Sequence, residues 1–397
     1  MQHNLFRIQL PTFLRGSSDL GLLSPGSLSF AGQRNQKNRV EILLLEPFFT
    51  GAHRRWCEEL KTHSKHKIDI FSMPGKHWKW RMHGAAVEFS SQVNESKKKY
   101  DLIVVSDFLD LATFRSLYFD SGVPVAIYFH ENQINYPWSK NDNDVSLGRD
   151  NHYGWINFTS ALVADRCFFN SAYHLNSFIN ALPQFLGQFP DGNFIQAIES
   201  IQEKSEVLHL GLEMKRPKVE REHNKVPVIL WNHRWEYDKN PEQFFLALQS
   251  VEDLEWDLLV LGESFGEYPP VFKKLKDRFR DRILQWGYVE SIERYSELLC
   301  SVDIVVSTAI QDFFGGSVVE AIYSGAYPLL PNRLAYPEHV PQENLYNSFD
   351  ELTEKLRVAI IEFNDLKSGA NAVERYNWPN CIKRYDEAFE ILVNHLV

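Results

Sequence analysis

Two short segments in the second half of the 397-residue sequence carry side chains that could bind a phosphorylated ligand. In the first segment, Arg234 and Lys239 lie five positions apart, after a predicted strand and before a predicted helix. A guanidinium and an ammonium at the start of a helix can bind a diphosphate and offset the negative charge that develops as it leaves. A solvent-exposed basic turn is the alternative interpretation, and the pair alone favours it.

The second segment places two carboxylates on either side of a glycine-rich loop that opens a predicted helix. Its residues are Asp312, Phe313, Phe314, Gly315, Gly316 and, about one turn into the helix, Glu320. Glycines allow backbone N–H groups to approach a ligand closely, and a carboxylate in the helix can accept hydrogen bonds from a ribose diol. For this loop in isolation, a tight turn followed by a surface acid is the favoured interpretation.

Taken together, the two segments resemble the donor-site signature of retaining nucleotide-sugar glycosyltransferases with the GT-B fold. The resemblance rests on Arg-x4-Lys after the first strand of a second domain, followed by acid-x7-acid after a later strand. Two supporting turns lie between these segments, at Gly262-Glu263 and at Gly287-Tyr288. The resemblance implies an α/β protein in which two Rossmann-like domains, each with a doubly wound parallel sheet, face a common cleft.

The first half of the sequence narrows the resemblance. Histidine, aromatic and acidic residues occur near predicted strand ends, in the segments 46–53, 128–133 and 162–171, and an aromatic-basic run occupies 74–81. Together with the donor signature, these segments resemble the glycosyltransferase-like domain-containing family over about residues 40–345. The family implies transfer of mannose from GDP-mannose, with retention, to queuosine at the wobble position of the tRNA-Asp anticodon. Apart from this nucleotide-sugar donor, no cofactor is expected.

The resemblance also implies roles for individual residues. Arg234 and Lys239 would hold the diphosphate, Glu320 would hold the donor ribose, and Asp312 would face the transferred sugar. His130 would lie at the reaction centre and contact the sugar without acting as a general base; a strand-end histidine satisfied by local backbone is the alternative. The other donor-side residues are Gly262, Glu263, Tyr288, Phe313, Phe314, Gly315 and Gly316, and the acceptor-side residues are Gly51, His53, Glu131, Asn132 and Gln133. The family has glutamate where this chain has Asp312, which leaves the identity of the sugar open.

The aromatic-basic run is the main candidate for contact with RNA. It contains Lys76, Trp78, Lys79, Trp80 and Arg81, and residues 39–100 around it carry 12 basic and 7 acidic side chains. Aromatic rings can stack on unpaired bases while neighbouring cations neutralise phosphates, so we expect this run to face tRNA. The alternative is that the two tryptophans pack in the core or line the acceptor pocket while the basic groups are solvated.

Charge and cysteine content exclude several classes of protein. The net charge of −10 argues against a general nucleic-acid or membrane-surface binder. The four cysteines form no CxxC pair and no apolar run is long enough for a membrane span, so a cytoplasmic location is expected. Asp142 and Asp144 occupy a polar loop and are interpreted as surface, so no metal site is expected.

Short apolar runs that alternate with helical spacing predict the elements that position these residues. Strands are predicted at 40–45, 68–72, 101–106, 124–129 and 166–170, and again at 228–232, 256–261, 283–286, 303–308 and 327–330. The expected organisation is a disordered extension at 1–38, an acceptor-binding domain at 39–215 and a linker at 216–227. A donor domain at 228–375 follows, and a helix at 376–397 crosses back to the first domain. The oligomeric state is open.

Two rival functions remain open from the sequence. The first is a retaining glycosyltransferase with another nucleotide sugar, or with a lipid, polysaccharide or small-metabolite acceptor. The second is a non-catalytic protein that binds a nucleotide sugar or tRNA, and the joint presence of Arg234, Lys239 and Glu320 speaks against it.

Overall fold

The structure, a computed structural model, describes residues 39–120, 122–139, 142–148, 151–191, 194–214, 224–264 and 269–395. The predicted extension at 1–38 and most of the predicted linker at 216–227 therefore lie outside the described residues. Within them the chain forms two parallel sheets of six strands each. We call the part that carries the first sheet the first half, and the part that carries the second sheet the second half.

The first sheet has the strand order β2-β1-β3-β4-β5-β6, and all neighbouring strands are parallel. Its strands are β1 (Glu41–Phe49), β2 (Lys67–Pro74), β3 (Leu102–Ser106), β4 (Val125–Phe129), β5 (Arg166–Phe169) and β6 (Ser205–Val207). The helices are α1 (Gly51–His63), α2 (Trp78–Ser96), α3 (Leu111–Leu117), α4 (Asn143–Ser146), α5 (Asn151–Val163), α6 (Ala172–Leu186) and α7 (Ile195–Glu203). The central strands β3 and β4 are buried along their whole length, as their continuous apolar sequence predicts.

The second sheet has the strand order β12-β11-β10-β7-β8-β9 and is also parallel. Its strands are β7 (Val228–Asn232), β8 (Asp257–Leu261), β9 (Ile283–Gly287), β10 (Ile304–Val306), β11 (Tyr327–Pro331) and β12 (Leu345–Tyr346). The helices are α8 (Pro241–Ser250), α9 (Val271–Arg278), α10 (Ile292–Cys300), α11 (Gly316–Tyr323) and α12 (Phe349–Ile361).

The last helix packs against the first half. Helix α14 (Trp378–His395) follows α13 (Ala370–Val373). The Tyr385 hydroxyl of α14 lies 3.1 Å from the Tyr128 hydroxyl of β4, and it accepts a hydrogen bond from Trp56 of α1 at 3.3 Å. Asp386 accepts a hydrogen bond from the Ser64 hydroxyl at 2.6 Å. These contacts join α14 to β4, to α1 and to the residue that follows α1.

Both sheets change their winding direction at the first strand. Strand β1 lies between β2 and β3, and β7 lies between β8 and β10. At such a point the connections leave in opposite directions, and the crevice outside the carboxyl ends of the strands is where open α/β proteins bind ligands. The crevices of this chain therefore lie at the ends of β1 and β3 and at the ends of β7 and β10.

The predicted fold class is confirmed, and each predicted strand is present. The strand at 228–232 has its predicted bounds, and the others have shifted ends. The short edge strands β6 and β12 were not predicted, because a run of three or two residues shows no periodic pattern. The aromatic-basic run continues into α2, which the sequence analysis did not predict as a helix. In the part of the chain that the structure describes, no helix is long and apolar enough to cross a membrane.

Candidate functional site

Lys239 lies in a buried cluster of opposite charges just after β7. A short 3-10 turn, Tyr237–Lys239, carries it from the strand to α8. Its ammonium donates to the Gln311 carbonyl at 2.6 Å and forms ion pairs with Asp238 at 3.2 Å and Asp312 at 3.6 Å. The ammonium therefore compensates two carboxylates that burial alone would disfavour as charges. The structure brings together the predicted lysine and the first acid of the acid-x7-acid pair.

The surroundings of Asp312 favour its ionised form. Burial alone would raise the pKa of this carboxyl, but Lys239, His233 and Arg234 and a hydrogen bond from Tyr336 lower it below its usual value. The Tyr336 hydroxyl donates to Asp312 Oδ2 at 3.0 Å. An ionised and oriented carboxylate can accept hydrogen bonds from the hydroxyls of a sugar.

Arg234 is more exposed than Lys239, with 44% of its side chain accessible. One terminal nitrogen donates to the Tyr136 hydroxyl at 2.9 Å, and the other approaches Glu236 at 3.4 Å. The Tyr136 hydroxyl in turn donates to Asp238 at 3.2 Å. Tyr136 belongs to the loop after β4, so a residue of the first half links Arg234 to the carboxylate that pairs with Lys239.

The glycine-rich loop of the second half is held against the first half. The Phe313 carbonyl accepts a hydrogen bond from the Ser171 hydroxyl at 2.6 Å, and the Phe313 ring stacks on His174 with centroids 4.1 Å apart. Phe314 is buried in the core. Gly315 precedes α11 with a φ of +82°, a conformation that other residues rarely adopt. These contacts fix the loop backbone where the two halves meet.

Glu320 lies on α11, which begins at Gly316, and is buried. The Tyr295 hydroxyl donates to one carboxylate oxygen at 3.0 Å, and the Arg55 guanidinium from α1 contacts the other. A cavity of about 70 Å³ lies beside these three side chains and is lined by residues of α1, α10 and α11. The acid predicted to hold ribose therefore faces a cavity that both halves line.

The two supporting turns use backbone conformations that favour glycine. Gly262 has a φ of +135°, and a Cβ at this position would lie 1.7 Å from the His233 carbonyl oxygen. Gly287 has a φ of +96° and precedes Tyr288, whose ring is exposed. Burial raises the pKa of Glu263 above its usual value. The turns therefore bring backbone and one aromatic ring to the carboxyl ends of β8 and β9.

The rings of His130 and His53 are in tilted contact near the carboxyl ends of β4 and β1. Their ring centroids are 4.2 Å apart and their planes differ by 43°. His53 Nδ1 lies 3.1 Å from a carboxylate oxygen of Glu46, which is fully buried. The His130 backbone N–H donates to Asp107 at 2.8 Å, but its Nε2 is buried and has no hydrogen-bond partner among the described residues. A buried polar atom without a partner has room for a hydrogen bond to a bound ligand or water molecule.

The two histidines differ in charge at neutral pH. Burial opposes protonation of His53, but Glu46, Asp107 and Glu131 raise its pKa to about 9. Burial and the neighbouring His53 lower the pKa of His130 well below its usual value. Burial also raises the pKa of Asp107 to about 8. These shifts favour the protonated form of His53 and the neutral form of His130, in which one ring nitrogen can donate a hydrogen bond and the other can accept one.

Glu46, His53 and His130 also place three possible ligand atoms within 4.8 Å of one another. Among the residues that the structure describes, these are the side chains that could hold a metal ion. Two imidazoles and a carboxylate suit a transition metal. The hydrogen bond between Glu46 and His53 already pairs two of the three groups, so only the His130 nitrogen lacks a partner.

The remaining acceptor-side candidates lie on the connections after β1 and β4. Gln133 Nε2 donates to Glu131 at 2.8 Å. The buried Asn132 side chain accepts the backbone N–H groups of residues 134 and 135, so its oxygen shapes its own loop. Gly51 begins α1 with a φ of +48°, and an added Cβ would meet nothing within 4 Å. The structure thus brings His53, His130 and the start of α1 together, whereas the Asn132 oxygen is committed to its loop.

The aromatic-basic run divides into exposed and packed side chains near the start of α2. The half-buried Trp78 ring packs 5.1 Å from the Tyr153 ring, whereas Trp80 is 64% exposed. Lys76 is exposed, and Arg81 donates at 3.3 Å to the carbonyl of the last residue of β2. The first tryptophan therefore packs against the protein, and the second presents its ring to solvent.

Lys79, in the same run, is already paired. Its ammonium donates to Asp142 at 2.6 Å and to Asp144 at 2.5 Å, and it lies 5.4 Å from the centre of the Trp138 ring. Asp142 and Asp144 are interpreted as surface from the sequence, and the structure adds a role for them, because both partly exposed carboxylates bind this lysine. Contact between Lys79 and an RNA phosphate would require this ion pair to break.

Several residues that the sequence analysis did not assign a role complete the site. Tyr136 and Glu46 lie in segments that follow predicted strands, and Asp107 directly follows β3, so position alone could have singled them out. Arg55 and Tyr336 belong to no motif. They reach the site through the packing of α1 and of the turn after β11, which no local pattern predicts.

Solved structures with a similar fold include glycosyltransferases. Sucrose-phosphate synthase from Thermosynechococcus elongatus has a TM-score of 0.67 at 13% identity, covering 89% of this chain and 100% of that one. A glycosyltransferase from Rickettsia africae has a TM-score of 0.61 at 15% identity, covering 90% of this chain and 99% of that one. At this identity the likeness concerns the fold alone. Together with the two facing crevices, it defines the class: the chain has the GT-B fold of glycosyltransferases.

The sequence comparisons identify the family within this class. Residues 41–212 match the family model described as tRNA-queuosine alpha-mannosyltransferase N-terminal. A Drosophila melanogaster protein named tRNA-queuosine alpha-mannosyltransferase is 34% identical over 332 residues, covering 80% of this chain and 86% of that protein. The chain therefore belongs to the tRNA-queuosine alpha-mannosyltransferase family and is a glycosyltransferase, which confirms the resemblance that the sequence motifs indicated.

Proposed function

We propose that this enzyme transfers mannose from GDP-mannose, with retention of anomeric configuration, to queuosine in the anticodon of tRNA-Asp, in the cytoplasm. The observation that carries the proposal is the meeting of Arg234, Lys239 and Asp312 beyond the ends of β7 and β10. The name of the Drosophila relative supports mannose and queuosine. The resemblance of the donor motifs supports a nucleotide-sugar donor.

Two cations would receive the donor diphosphate. The Arg234 guanidinium is 44% exposed, so a phosphate group can approach it and accept two parallel hydrogen bonds. Lys239 adds a fixed positive charge that its neighbouring carboxylates hold in place. Because Asp312 lies 3.6 Å from the Lys239 ammonium, a sugar attached to the bound diphosphate would lie next to the Asp312 carboxylate.

The residues suit a transfer in which no carboxylate attacks the sugar. The bond from the anomeric carbon to the phosphate oxygen breaks as the bond to the acceptor hydroxyl forms on the same face. The leaving diphosphate takes the acceptor proton, and Arg234 and Lys239 stabilise its negative charge. The neutral His130, with its unpartnered Nε2, hydrogen-bonds a sugar hydroxyl and does not act as a general base.

The acceptor would enter the crevice at the ends of β1 and β3. His53, Gly51 and the loop at 131–133 would surround the modified base. The exposed Trp80 ring and the Lys76 ammonium, at the start of α2, are the groups of the aromatic-basic run that are open to contact an anticodon loop. No cofactor or metal takes part in this scheme, so full activity in the presence of excess chelator is expected.

The proposal is tested by measuring GDP release from GDP-mannose with three additions: queuosine-containing tRNA-Asp, the same tRNA without queuosine, and buffer alone. We expect rapid release only with the first. UDP-glucose, UDP-galactose and GDP-glucose serve as alternative donors. Other queuosine-containing tRNAs test whether the enzyme is specific for tRNA-Asp. Faster turnover with a uridine donor would contradict the proposed donor. Release that does not depend on queuosine would contradict the proposed acceptor.

A further inference from the structure

We propose that Arg55, on α1 of the first half, is a positioning residue for Glu320 and completes the ribose subsite of the donor from across the cleft. The inference rests on the proposed function, because it takes Glu320 as the acid that receives the donor ribose. Arg55 lies outside every motif that indicated the donor site. Its contact with Glu320 joins residues that are 265 positions apart in the chain.

The Arg55 guanidinium is held in place by partners other than Glu320. Its Nε donates to Glu59, one turn along the same helix, at 2.6 Å, and one terminal nitrogen donates to the Glu213 carbonyl at 2.9 Å. Glu59 is itself fixed, because it accepts the Trp378 indole N–H at 2.6 Å and the Glu213 backbone N–H at 3.0 Å. Arg55 is therefore preorganised, and its remaining terminal nitrogen points at Glu320 without further loss of side-chain freedom.

The contacts of Glu320 leave part of its carboxylate available. Arg55 contacts one oxygen, and the Tyr295 hydroxyl donates to the other while it accepts a hydrogen bond from Asn232 at 2.8 Å. An ionised carboxylate has about four lone-pair sites, so these two contacts leave room for the two hydroxyls of a ribose. Because the Glu320 side chain is only 11% exposed, its charge requires a compensating cation, which Arg55 supplies.

The adjoining cavity of about 70 Å³ has both apolar and polar walls. Ile292 and Leu299 of α10 form an apolar wall, and the polar groups of Arg55, Tyr295 and Glu320 converge on the same space. Sites for small ligands commonly combine apolar walls with a few placed polar groups. A ribose bound by Glu320 would therefore contact residues of the second half. Its binding would also depend on the Arg55 guanidinium of the first half, which holds Glu320 in place.

The test compares binding of GDP and of 2′,3′-dideoxy-GDP by isothermal titration calorimetry. The matched control is Arg54→Ala, which removes the same charge at the next position, where the side chain is exposed and pairs with Glu58. We expect this control to keep both affinities. We expect Arg55→Ala to weaken GDP binding about tenfold or more and to reduce the preference for GDP over its dideoxy form. Arg55→Lys keeps the positive charge but lacks the planar guanidinium group. It should therefore recover part of the GDP affinity and part of the preference for GDP over its dideoxy form.

The comparison with 2′,3′-dideoxy-GDP distinguishes a loss of Glu320 positioning from a general loss of structure. A protein that is only destabilised loses affinity for both nucleotides to the same extent. With saturating donor, kcat should change little in Arg55→Ala. Tighter GDP binding by Arg55→Ala would overturn the inference, since Arg55 would then compete with ribose. An unchanged preference for GDP in both Arg55 variants would overturn it as well. Two results would contradict the role of Glu320 in binding ribose: a wild-type enzyme that binds neither nucleotide, or a Glu320→Gln variant that keeps the full preference for GDP over its dideoxy form. Either result would also overturn the inference about Arg55.

Discussion

Replacing Arg234 with alanine should separate donor binding from protein stability. The side chain is 44% exposed, and its partners are the Tyr136 hydroxyl at 2.9 Å and the Glu236 carboxylate at 3.4 Å. Exposed pairs of this kind contribute about 0–1 kcal/mol to the free energy of unfolding. The variant should therefore unfold within a few degrees of the wild-type enzyme.

The same substitution should have a large effect on nucleotide binding. A hydrogen bond to a charged group contributes about 1.5–3 kcal/mol, and about 1.4 kcal/mol corresponds to a tenfold change in affinity. Loss of one such contact with phosphate raises the Kd for GDP about 10- to 150-fold by that conversion. Arg234→Lys keeps the charge but not the planar fork, so its Kd should lie between those of the wild-type enzyme and Arg234→Ala.

Calorimetric titration with GDP and thermal unfolding measure the two effects in parallel. Arg280→Ala is a suitable control, because it removes an arginine that is 77% exposed and pairs only loosely, at 3.7 Å, with Asp277. A Kd for Arg234→Ala within twofold of the wild-type value would refute the diphosphate clamp. A large drop in thermal midpoint would instead show that Arg234 is a structural residue.

Three further outcomes are expected. Lys239→Met leaves the buried Asp238 and the partly buried Asp312 without their cation, and chemical denaturation should show a loss of about 3–5 kcal/mol. His53 has a pKa raised from 6.5 to about 9, so its stabilisation is complete below pH 6.5 and is lost as pH rises through 9. Glu46→Gln should remove the larger part of this His53 contribution, which denaturation curves of both proteins between pH 8 and 10 measure above the pKa of about 8 of Asp107. Trp80→Ala should weaken tRNA binding with donor affinity unchanged, whereas Phe119→Ala, at another exposed aromatic ring, should change neither.

The main strands could be predicted because parallel strands buried on both faces need nearly continuous apolar runs. Strands β7 and β8 show this pattern, with four consecutive apolar residues in each strand of five. The short edge strands β6 and β12 could not be predicted, because they depend on pairing with a neighbouring strand rather than on a pattern of their own.

The site could be predicted where its residues follow strands of one sheet. Lys239 follows β7 and Asp312 follows β10, and neighbouring parallel strands bring their carboxyl-terminal loops together. The positions of Arg55 and Lys79 could not be predicted in this way. Arg55 meets Glu320 only because α1 packs against the second half, and Lys79 is neutralised by a loop more than sixty positions away.

The central claim, that this enzyme adds a hexose to queuosine in tRNA, is tested most directly by mass spectrometry of the tRNA nucleosides after reaction with GDP-mannose. We predict a nucleoside heavier than queuosine by one hexose, with an α-linked sugar by NMR and no change in tRNA that lacks queuosine. Recovery of unmodified queuosine with every nucleotide sugar supplied, from an enzyme that binds GDP, would contradict the claim.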